Sequence, residues 1–317
     1  MDLRVDGSWH DDALDLAIRL KNWRLSKIYA STFGRFPNAV RPVSFTEKMH
    51  ARKLFDRRPE MGLFCDKLAS RDYVRERAPE LSLIPVLWSG EDVDAMPLET
   101  LKPPFVVKPS NGCMTVRFVR DASELDADAI RKECREWLDA PVHGGNLGEW
   151  GYGQVRRQIV IERMLLTETG EPPEDWKVFV FDGKARLIFL SNGRHRKGTR
   201  ALLNRDGDAM PWEMWWRKGR YRFEGESRDP EEVAPIVRMA EHVGRDSDFV
   251  RVDLYIHAGK VWFGELSPYP FSGLNAPVLK GGPDSGPLPR EADDLMGSFW
   301  KQPDWSVAYK VRTALLP

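Results

Sequence analysis

Two strand pairs in the second half of the chain, each joined by a short glycine turn, constrain the fold most. The segments WKVFVF and ARLIFL flank the Asp-Gly pair at 182–183, and the runs 250–256 and 261–266 flank the Ala-Gly pair at 258–259. Apolar, β-branched and aromatic runs on both sides of such a turn predict antiparallel hairpins. The second half is therefore predicted to be rich in antiparallel β-sheet.

The first hundred residues follow a helical pattern instead. Apolar residues recur at helical spacing from Asp11 to Ala30, and Ser44 with Glu47 reads as a capping box that opens a helix. A further helix is predicted over 66–77, before Pro79. The predicted fold class is α+β, with a mainly helical region 1–100 leading into antiparallel hairpins.

Composition excludes several functional classes. The 48 Lys and Arg residues balance 48 Asp and Glu residues, which argues against a general nucleic-acid binder. Three cysteines without paired spacing fit neither a disulfide scaffold nor a zinc ribbon. The first twelve residues lack the apolar run of a signal peptide, and no stretch reaches the roughly 20 apolar residues of a membrane span. We therefore expect a soluble, cytoplasmic protein, whose oligomeric state the sequence leaves open.

The segment RVDLYIHAGKVWFGELS carries the most informative polar pattern. Strand alternation places Arg251 and Asp253 on one face, and an odd-length turn with Gly259 in the left-handed conformation would bring Glu265 and Ser267 to that face. Two carboxylates this close repel unless a cation lies between them, and Mg²⁺ favours carboxylate and phosphate oxygens. The alternative is an ordinary exposed polar face, because an even-length turn would send Glu265 to the opposite side.

Isolated charges on two apolar strands provide weaker signals. Lys108 ends the strand of PPFVVKPS before a Ser-Asn-Gly loop, where it could hold a phosphate or simply border a turn. Glu162 interrupts the apolar strand IVIERML and either faces solvent or serves a site. Lys67 and Lys177 resemble ordinary surface lysines when each is considered alone.

Two further clusters have two interpretations each. The basic loop Arg194–Arg200 is either a solvated surface or an anion-binding lid, and the cluster of Trp212, Trp215 and Trp216 is either packing or a sugar-stacking platform. The six histidines show no metalloprotease or nucleophile–base pattern. A hydrolase therefore has no support from the motifs.

Taken in chain order, these signals resemble the ATP-grasp fold and, more narrowly, its TupA-like branch, named for teichuronopeptide biosynthesis. The similarity extends over about residues 41–300, and RVDLY with FGELSPYP is its most specific part. The other segments that carry it are SFTEKMHARKLFDRRP, DKLASRDYVRE, PPFVVKPSNG, IVIERML, PPEDWKVFVFDGK and DDLMGSFW.

The resemblance implies two β-rich lobes that clamp ATP, a small lobe at 101–158 and a large lobe at 159–317. In such a clamp, Lys67 and Lys108 would bind the phosphates of ATP, under a covering loop Ser110–Met114 that includes Gly112. The Glu162 carboxylate and the backbone of Arg163 and Leu165 would form the adenine hinge. Glu168 or Glu171 would contact the ribose.

The resemblance also implies the chemistry of the hairpin. Asp253 and Glu265 would bind one or two Mg²⁺ ions, and Ser267 stands where related ligases place an asparagine ligand. Further roles implied are oxyanion stabilisation by Arg251, a phosphate or substrate contact from Lys177, and recognition of an anionic substrate by Arg194 and Arg196.

The implied activity is ATP-dependent ligation of a carboxylate to an amine through an acylphosphate. The partners would be small-molecule carboxylate and amine substrates, such as a uronic acid and an amino acid in polysaccharide or natural-product biosynthesis, and no nucleic acid. The alternatives are a kinase on the same fold and a non-catalytic carbohydrate- or partner-binding module, the latter suggested by the twelve tryptophans.

Overall fold

A computed structural model describes residues 8–113, 115–191, 200–216, 219–221, 223, 225–281 and 289–316 of the chain. Helices and strands both occur throughout, which confirms the predicted α+β class. The helices are α1 (Ser8–Lys21), α2 (Trp23–Phe33), α3 (Phe45–Phe55), α4 (Pro59–Cys65), α5 (Ala69–Arg77), α6 (Ala127–Asp139), α7 (Pro230–Gly244), α8 (Glu291–Ser298) and α9 (Val307–Ala314).

The strands form three sheets. They are β1 (Ser82–Leu83), β2 (Val86–Gly90), β3 (Phe105–Pro109), β4 (Arg117–Val119), β5 (Ile159–Arg163), β6 (Asp175–Phe181), β7 (Lys184–Ser191), β8 (Arg200–Leu203), β9 (Trp212–Trp216), β10 (Gly219–Tyr221), β11 (Phe249–His257), β12 (Lys260–Ser267) and β13 (Asn275–Leu279). Every helix in the described ranges is too short or too polar to cross a bilayer.

The chain divides into two compact units. Unit 1 comprises Met1–Arg57, Met210–Phe223 and Tyr269–Pro317, and unit 2 comprises Arg58–Ala209 and Glu224–Pro268. The lobe division predicted at residues 100 and 158 concerns the surroundings of ATP and stays a prediction.

Unit 1 contains α1, α2, α3, α8, α9 and the sheet β10-β9-β13. The region predicted as one helix from Asp11 is two helices, because the chain turns at Asn22, whose side-chain amide donates to the carbonyls of Ile18 and Ala314. The capping box that opens α3 is confirmed, since the Ser44 hydroxyl accepts from the Glu47 N–H and the Glu47 carboxylate accepts from the Ser44 N–H.

The tryptophan cluster lies on β9 in unit 1. Trp212 is buried, and the Trp215 indole N–H donates to the Thr32 carbonyl at 3.2 Å. These contacts favour packing over a sugar-stacking platform for these two residues.

Unit 2 contains two sheets that carry the predicted site residues. The six-stranded sheet has the order β1-β12-β11-β6-β7-β8, and the four-stranded sheet has the order β2-β5-β3-β4. Both predicted hairpins are confirmed, since β6 pairs with β7 and β11 pairs with β12 in antiparallel fashion. Helix α7 contacts the six-stranded sheet, and α6 packs on the four-stranded one through the buried Ile130 and Cys134.

Candidate active site

The hairpin β11–β12 brings its two carboxylates face to face. Asp253 and Glu265 are cross-strand partners. The turn between the strands has only two residues, Ala258 and Gly259, both with positive φ, so it is the even-length alternative, which by alternation alone would send Glu265 to the opposite face. The pairing shifts instead at a β-bulge, where Gly264 is the extra residue, because Leu254 pairs with Phe263 while the next pair is Asp253 with Glu265.

Space at the bulge explains why the extra residue is a glycine. A Cβ at Gly264 would lie 2.9 Å from Tyr255 Cε2 and 3.0 Å from the Asp253 carbonyl oxygen. The second atom belongs to the backbone and cannot move aside without disturbing the strand. Gly264 is therefore the local cause of the carboxylate pairing, and strand alternation alone does not predict it.

Asp253 lies at the centre of a buried charge network. Its Oδ1 accepts from Arg251 Nε at 2.6 Å and its Oδ2 from Arg251 Nη2 at 2.7 Å. The Lys177 Nζ donates to the same Oδ2 at 2.8 Å. The Asp253 residue is only 1 % exposed, so the carboxylate is tied to its cationic neighbours in a region of low dielectric.

The third strand, β6, completes one side of this network. Lys177 is the cross-strand partner of Asp253, and its Nζ also lies 2.6 Å from Asp175 Oδ2. Asp175, the first residue of β6, is buried as well, and it was not among the predicted site residues. An acid two residues before a lysine on the same strand was the available signal.

Glu265 is more accessible than Asp253 and lies between two cations. Its Oε1 is 3.5 Å from Arg251 Nη2, its Oε2 is 3.8 Å from Lys67 Nζ, and its side chain is 31 % exposed. The partly open carboxylate can therefore reach a ligand that Asp253 can reach only if its own partners shift.

The charges shift one another's pKa values. Burial disfavours the charged form of Glu265, but Lys67, Arg251 and Lys177 outweigh it and lower the pKa of this carboxyl. Burial likewise opposes the charge on Arg251, but Asp253 and Glu265 outweigh it and raise the guanidinium pKa. For Asp253, burial raises the carboxyl pKa, and Arg251 and Lys177 act in the opposite direction.

A second ion pair lies on the four-stranded sheet. Lys108 Nζ is 2.5 Å from Glu162 Oε2, and Arg71 Nη1 is 3.4 Å from Glu162 Oε1. Glu162 is buried, so the charge that interrupts its apolar strand does not face solvent. Arg71 was not predicted, because only the fold brings its helix to this strand.

The loop after Lys108 is held at both ends. The Ser110 N–H donates to the Gln158 carbonyl at 2.8 Å, and the Ser110 hydroxyl donates to the Arg156 carbonyl. Lys67 binds the loop twice, since its N–H donates to the Ser110 carbonyl and its Nζ to the Gly112 carbonyl. Lys67 thus bridges this loop and Glu265. Met114, included in the predicted covering loop, lies outside the described residues.

The predicted adenine hinge follows β5. The Arg163 N–H donates to the Pro85 carbonyl at 2.9 Å, so this backbone donor is engaged within the fold. Leu165 is half-buried, and Glu168 is exposed in a turn. Their roles toward adenine and ribose stay predictions, as does any role of Glu171.

A metal site fits only if the ligand supplies part of the coordination. Within the described part of the chain, no group of three or more His, Cys, Asp or Glu residues is arranged to hold a metal ion. Asp253 and Glu265 face each other, and Ser267 is the cross-strand partner of Arg251 on the same face. Mg²⁺ commonly uses one or two carboxylates together with phosphate oxygens, which matches this donor set.

The segment 143–152 lies near the same charges, and no motif singled it out. The rings of His143 and Tyr152 pack with centroids 4.8 Å apart. Burial, followed by the charge of Lys67, lowers the pKa of His143. The glycine-rich sequence reads as a loop, and only the fold shows that it approaches Lys67 and Glu265. Arg194 and Arg196, proposed for an anionic substrate, lie outside the described residues.

Several solved structures that are similar to this chain are ligases. The D-alanine–D-alanine ligase from Bacillus anthracis in complex with ATP shares 17% identity and a TM-score of 0.41, covering 65% of this chain and 55% of that one. PsnB, an ATP-grasp ligase solved with a minimal precursor, is 16% identical with a TM-score of 0.37, and the match covers 66% of this chain and 53% of PsnB. The L-amino acid ligase from Bacillus licheniformis is 17% identical with a TM-score of 0.40, and the match covers 65% of this chain and 43% of that ligase. The chain thus spans about half the length of these ligases.

A comparison with curated proteins gives no significant match. The sequence model of the TupA-like ATP-grasp family matches residues 47–280, which is most of the chain and includes Lys67, Lys108, Glu162, Asp253 and Glu265. The chain therefore belongs to the TupA-like ATP-grasp family and has the ATP-grasp fold.

Proposed function

We propose that the protein is an ATP-dependent, ADP-forming carboxylate–amine ligase. The observation that carries this proposal is the pairing of Asp253 with Glu265 on one hairpin, among the cations Arg251, Lys177 and Lys67. Membership of the ATP-grasp family supports the assignment.

The cationic and anionic side chains of this site suit a nucleoside triphosphate with a bound divalent ion. Lys67 and Lys108 would hold the phosphates, and Asp253 and Glu265 would hold Mg²⁺ together with phosphate oxygens. When bound, the ion neutralises charge that develops on the transferring phosphoryl group. Asp253 would release its contact with Lys177 on ligand binding, and Lys177 would keep its contact with Asp175.

The bond changes follow from the class of reaction. A carboxylate oxygen of the first substrate attacks the γ-phosphorus of ATP, the bond to the β-phosphate oxygen breaks, and ADP leaves. The amine nitrogen of the second substrate then attacks the acyl carbon, and phosphate leaves as the amide forms and the amine loses a proton. Arg251, fixed by two hydrogen bonds to Asp253, would stabilise the oxyanion of that second step.

For the substrates we propose a uronic acid or amino-acid carboxylate and the amine of an amino acid. The reaction would belong to surface-polysaccharide or natural-product biosynthesis and take place in the cytoplasm, where ATP is available. The branch of the family supports this choice, and Arg194 and Arg196 remain our proposal for contacts with an anionic acceptor.

An ADP-release assay with crossed substrates tests the proposal. Uronic acids and amino acids are screened in pairs with Mg-ATP, and product masses are measured. ADP and phosphate should appear only when a carboxylate and an amine are both present, with a product mass equal to their sum less water. A stable phosphorylated acceptor would identify a kinase, and calorimetry without Mg-ATP binding would favour a non-catalytic module. Either outcome overturns the ligase assignment.

A further inference from the structure

Glu162 lies on the face of the four-stranded sheet that turns away from the apolar core of that sheet. The strand residues that form this core with α6 are Phe105, Val107, Ile159 and Ile161. Strand alternation therefore places Lys108 and Glu162 together on the opposite face. Because Glu162 is only 4 % exposed there, its carboxylate needs a compensating charge from the protein.

Two cations share this carboxylate, one on each oxygen. Lys108 Nζ is 2.5 Å from Glu162 Oε2, and Arg71 Nη1 is 3.4 Å from Oε1. Within the described ranges these are the ion pairs that Glu162 makes. All three side chains are at most 17 % exposed, so water screens the interactions only weakly.

The position of Arg71 follows from the turn that opens α5. The Asp66 carboxylate accepts from two backbone N–H groups of this turn at 2.8 and 3.1 Å, which fixes its conformation. Lys67 and Arg71 are four residues apart across the turn, and their side chains reach different sheets. Lys67 reaches Glu265 on β12, and Arg71 reaches Glu162 on β5. One short turn thus supplies a cation to each sheet of unit 2.

A second contact ties the Arg71 guanidinium to the backbone beside the predicted adenine hinge. Its Nη2 donates to the Ile84 carbonyl at 2.5 Å. The carbonyl of the next residue, Pro85, accepts from the Arg163 N–H, so this connection is bonded to the residue that follows Glu162. The guanidinium is therefore held by a backbone group as well as by the carboxylate, and it stays in place when Glu162 loses another partner.

Phosphate binding by Lys108, which is part of the proposed function, changes the balance of charge at Glu162. An ammonium group that turns to a phosphate oxygen weakens its bond to the carboxylate. A buried carboxylate that loses its cation is strongly destabilised unless a second cation remains. Arg71 is that second cation, because its contact with the Ile84 carbonyl does not depend on Lys108.

We propose that Arg71 is a positioning residue of the nucleotide site, which keeps the Glu162 carboxylate paired when Lys108 turns to the phosphates of ATP. Arg71 acts through Glu162 and Lys108, and by this route it sets the affinity for Mg-ATP. This role rests on the proposed function as far as ATP binding is concerned, and it is independent of which carboxylate and amine are joined.

Calorimetric titration of Mg-ATP into the full chain tests this role. Arg71→Gln should raise the Kd for Mg-ATP at least about tenfold, because the bound state then contains a buried carboxylate with a weakened partner. In turnover it should raise the KM for ATP and leave kcat nearly unchanged. Arg71→Lys, which keeps the charge but not the planar fork, should recover most of the lost affinity.

The matched control lies one turn further along the same helix. Arg75 is 61 % exposed in its side chain and pairs with Asp72. Arg75→Gln removes the same charge from α5 without touching Glu162, so it should bind Mg-ATP as the unmodified chain does. Thermal melts check that all variants remain folded.

A double-substitution cycle separates this role from a merely structural one. In a Glu162→Gln background no carboxylate needs compensation, so adding Arg71→Gln should change the Kd less than about twofold. If Arg71 acted only by holding the Ile84 carbonyl, the substitution would weaken binding equally in both backgrounds. That result would overturn the proposal.

The titrations also distinguish failure of this role from failure of the proposed function. Absence of Mg-ATP binding by the unmodified chain would overturn both. Equal Mg-ATP affinity of the unmodified chain and the Arg71→Gln variant would overturn the role of Arg71 alone.

Discussion

Each unit contains a buried aspartate in a polar network, and the two networks differ in what holds the carboxylate. In unit 1, Asp293 accepts from the Thr46 backbone N–H at 3.1 Å and from the Thr46 hydroxyl at 2.7 Å, and Arg35 Nη2 lies at 3.2 Å. In unit 2, the hydrogen bonds of Asp253 with described residues come from the side chains of Arg251 and Lys177.

This difference separates a structural carboxylate from one available for a ligand. A backbone N–H at the start of a helix cannot leave without unwinding that turn, so Asp293 fastens α3 to α8. Lysine and arginine are long and can exchange partners, so the bonds of Asp253 can be rearranged without breaking the sheet. Burial alone therefore does not identify a site, but the type of partner helps to do so.

The largest expected effect is on catalysis. Asp253→Asn should lower ligase turnover about 10²–10³-fold, a loss of the size seen when one preorganised electrostatic group is removed. The variant should stay folded, because Lys177 keeps Asp175 and Arg251 keeps Glu265 as partners. Turnover by ADP release and a thermal melt provide the measurements. Normal turnover at saturating Mg²⁺ would contradict the assignment of Asp253 as a metal ligand.

The reverse effect is expected in unit 1. Asp293→Ala should lower the free energy of unfolding by about 3 kcal/mol, because the buried Thr46 N–H and the Arg35 guanidinium lose their acceptor. Turnover per folded molecule should be unchanged. Denaturant unfolding measures the loss of stability, and kinetics normalised to the concentration of active sites measure the turnover. An Asp293→Ala variant with normal stability and reduced turnover would contradict the assignment of Asp293 as a structural carboxylate.

A smaller effect tests how the site is positioned. Gly264→Ala should reduce turnover about 10–10²-fold, since a displaced Glu265 no longer meets its ligand in the required geometry. Gly259→Ala is the matched control. A Cβ there meets no atom within 4 Å, so the positive φ should cost about 1 kcal/mol of stability and leave turnover intact. Similar turnover in the two variants would mean that the bulge does not position Glu265.

The last prediction concerns the pH dependence of the stability of unit 1. Burial, with repulsion from Lys53 and Arg19, lowers the pKa of His50 to about 3 from an ordinary 6.5. Between these values the unfolded chain binds a proton that the folded chain does not. Stability is therefore complete above pH 6.5 and falls by about 1.4 kcal/mol per pH unit as the pH drops toward 3.

Urea unfolding of a His50→Gln variant at pH 7, 6 and 5 measures this contribution. The variant should be less stable at pH 7, because His50 packs against the Tyr29 ring, and its slope with pH should be flatter. The exposed His10→Gln is the control, expected to keep the slope of the unmodified chain. An unchanged slope in the His50 variant would show that this imidazole does not govern the acid sensitivity.

Local patterns predicted most of the fold. The capping box at Ser44 and the hairpins at 182–183 and 258–259 follow from turn chemistry and periodicity that act over a few residues. The break at Asn22 was not predicted, because the apolar period continues through it. The Asn22 side chain bonds the carbonyl of Ala314, almost 300 positions away in the sequence, and a contact of that range leaves no local pattern.

The sequence predicted which residues belong to the candidate site better than it predicted how they are arranged. The family resemblance predicted Asp253 and Glu265 together, whereas strand alternation left two outcomes open, and the bulge at Gly264 is what pairs them across an even-length turn. A bulge depends on contacts of Tyr255 and cannot be read from alternation. Arg71 acts through Glu162, a partner that only the fold brings to its helix, so its charge carried no local signal. Asp175 did carry one, because it lies two residues before Lys177 on the same strand.

Unit 1 is assembled from three separate stretches of the chain, and this has a consequence for its synthesis. Helices α1 to α3 leave the ribosome early, yet residues 269–316, which supply β13, α8 and α9, emerge roughly 250 residues later. At about 5–20 residues per second this delay is about 13–50 s. Unit 2 can close in the meantime, while the apolar faces of α1 and α3 await their partners. Nascent chains should therefore be most prone to aggregation, and most dependent on chaperones, during this interval.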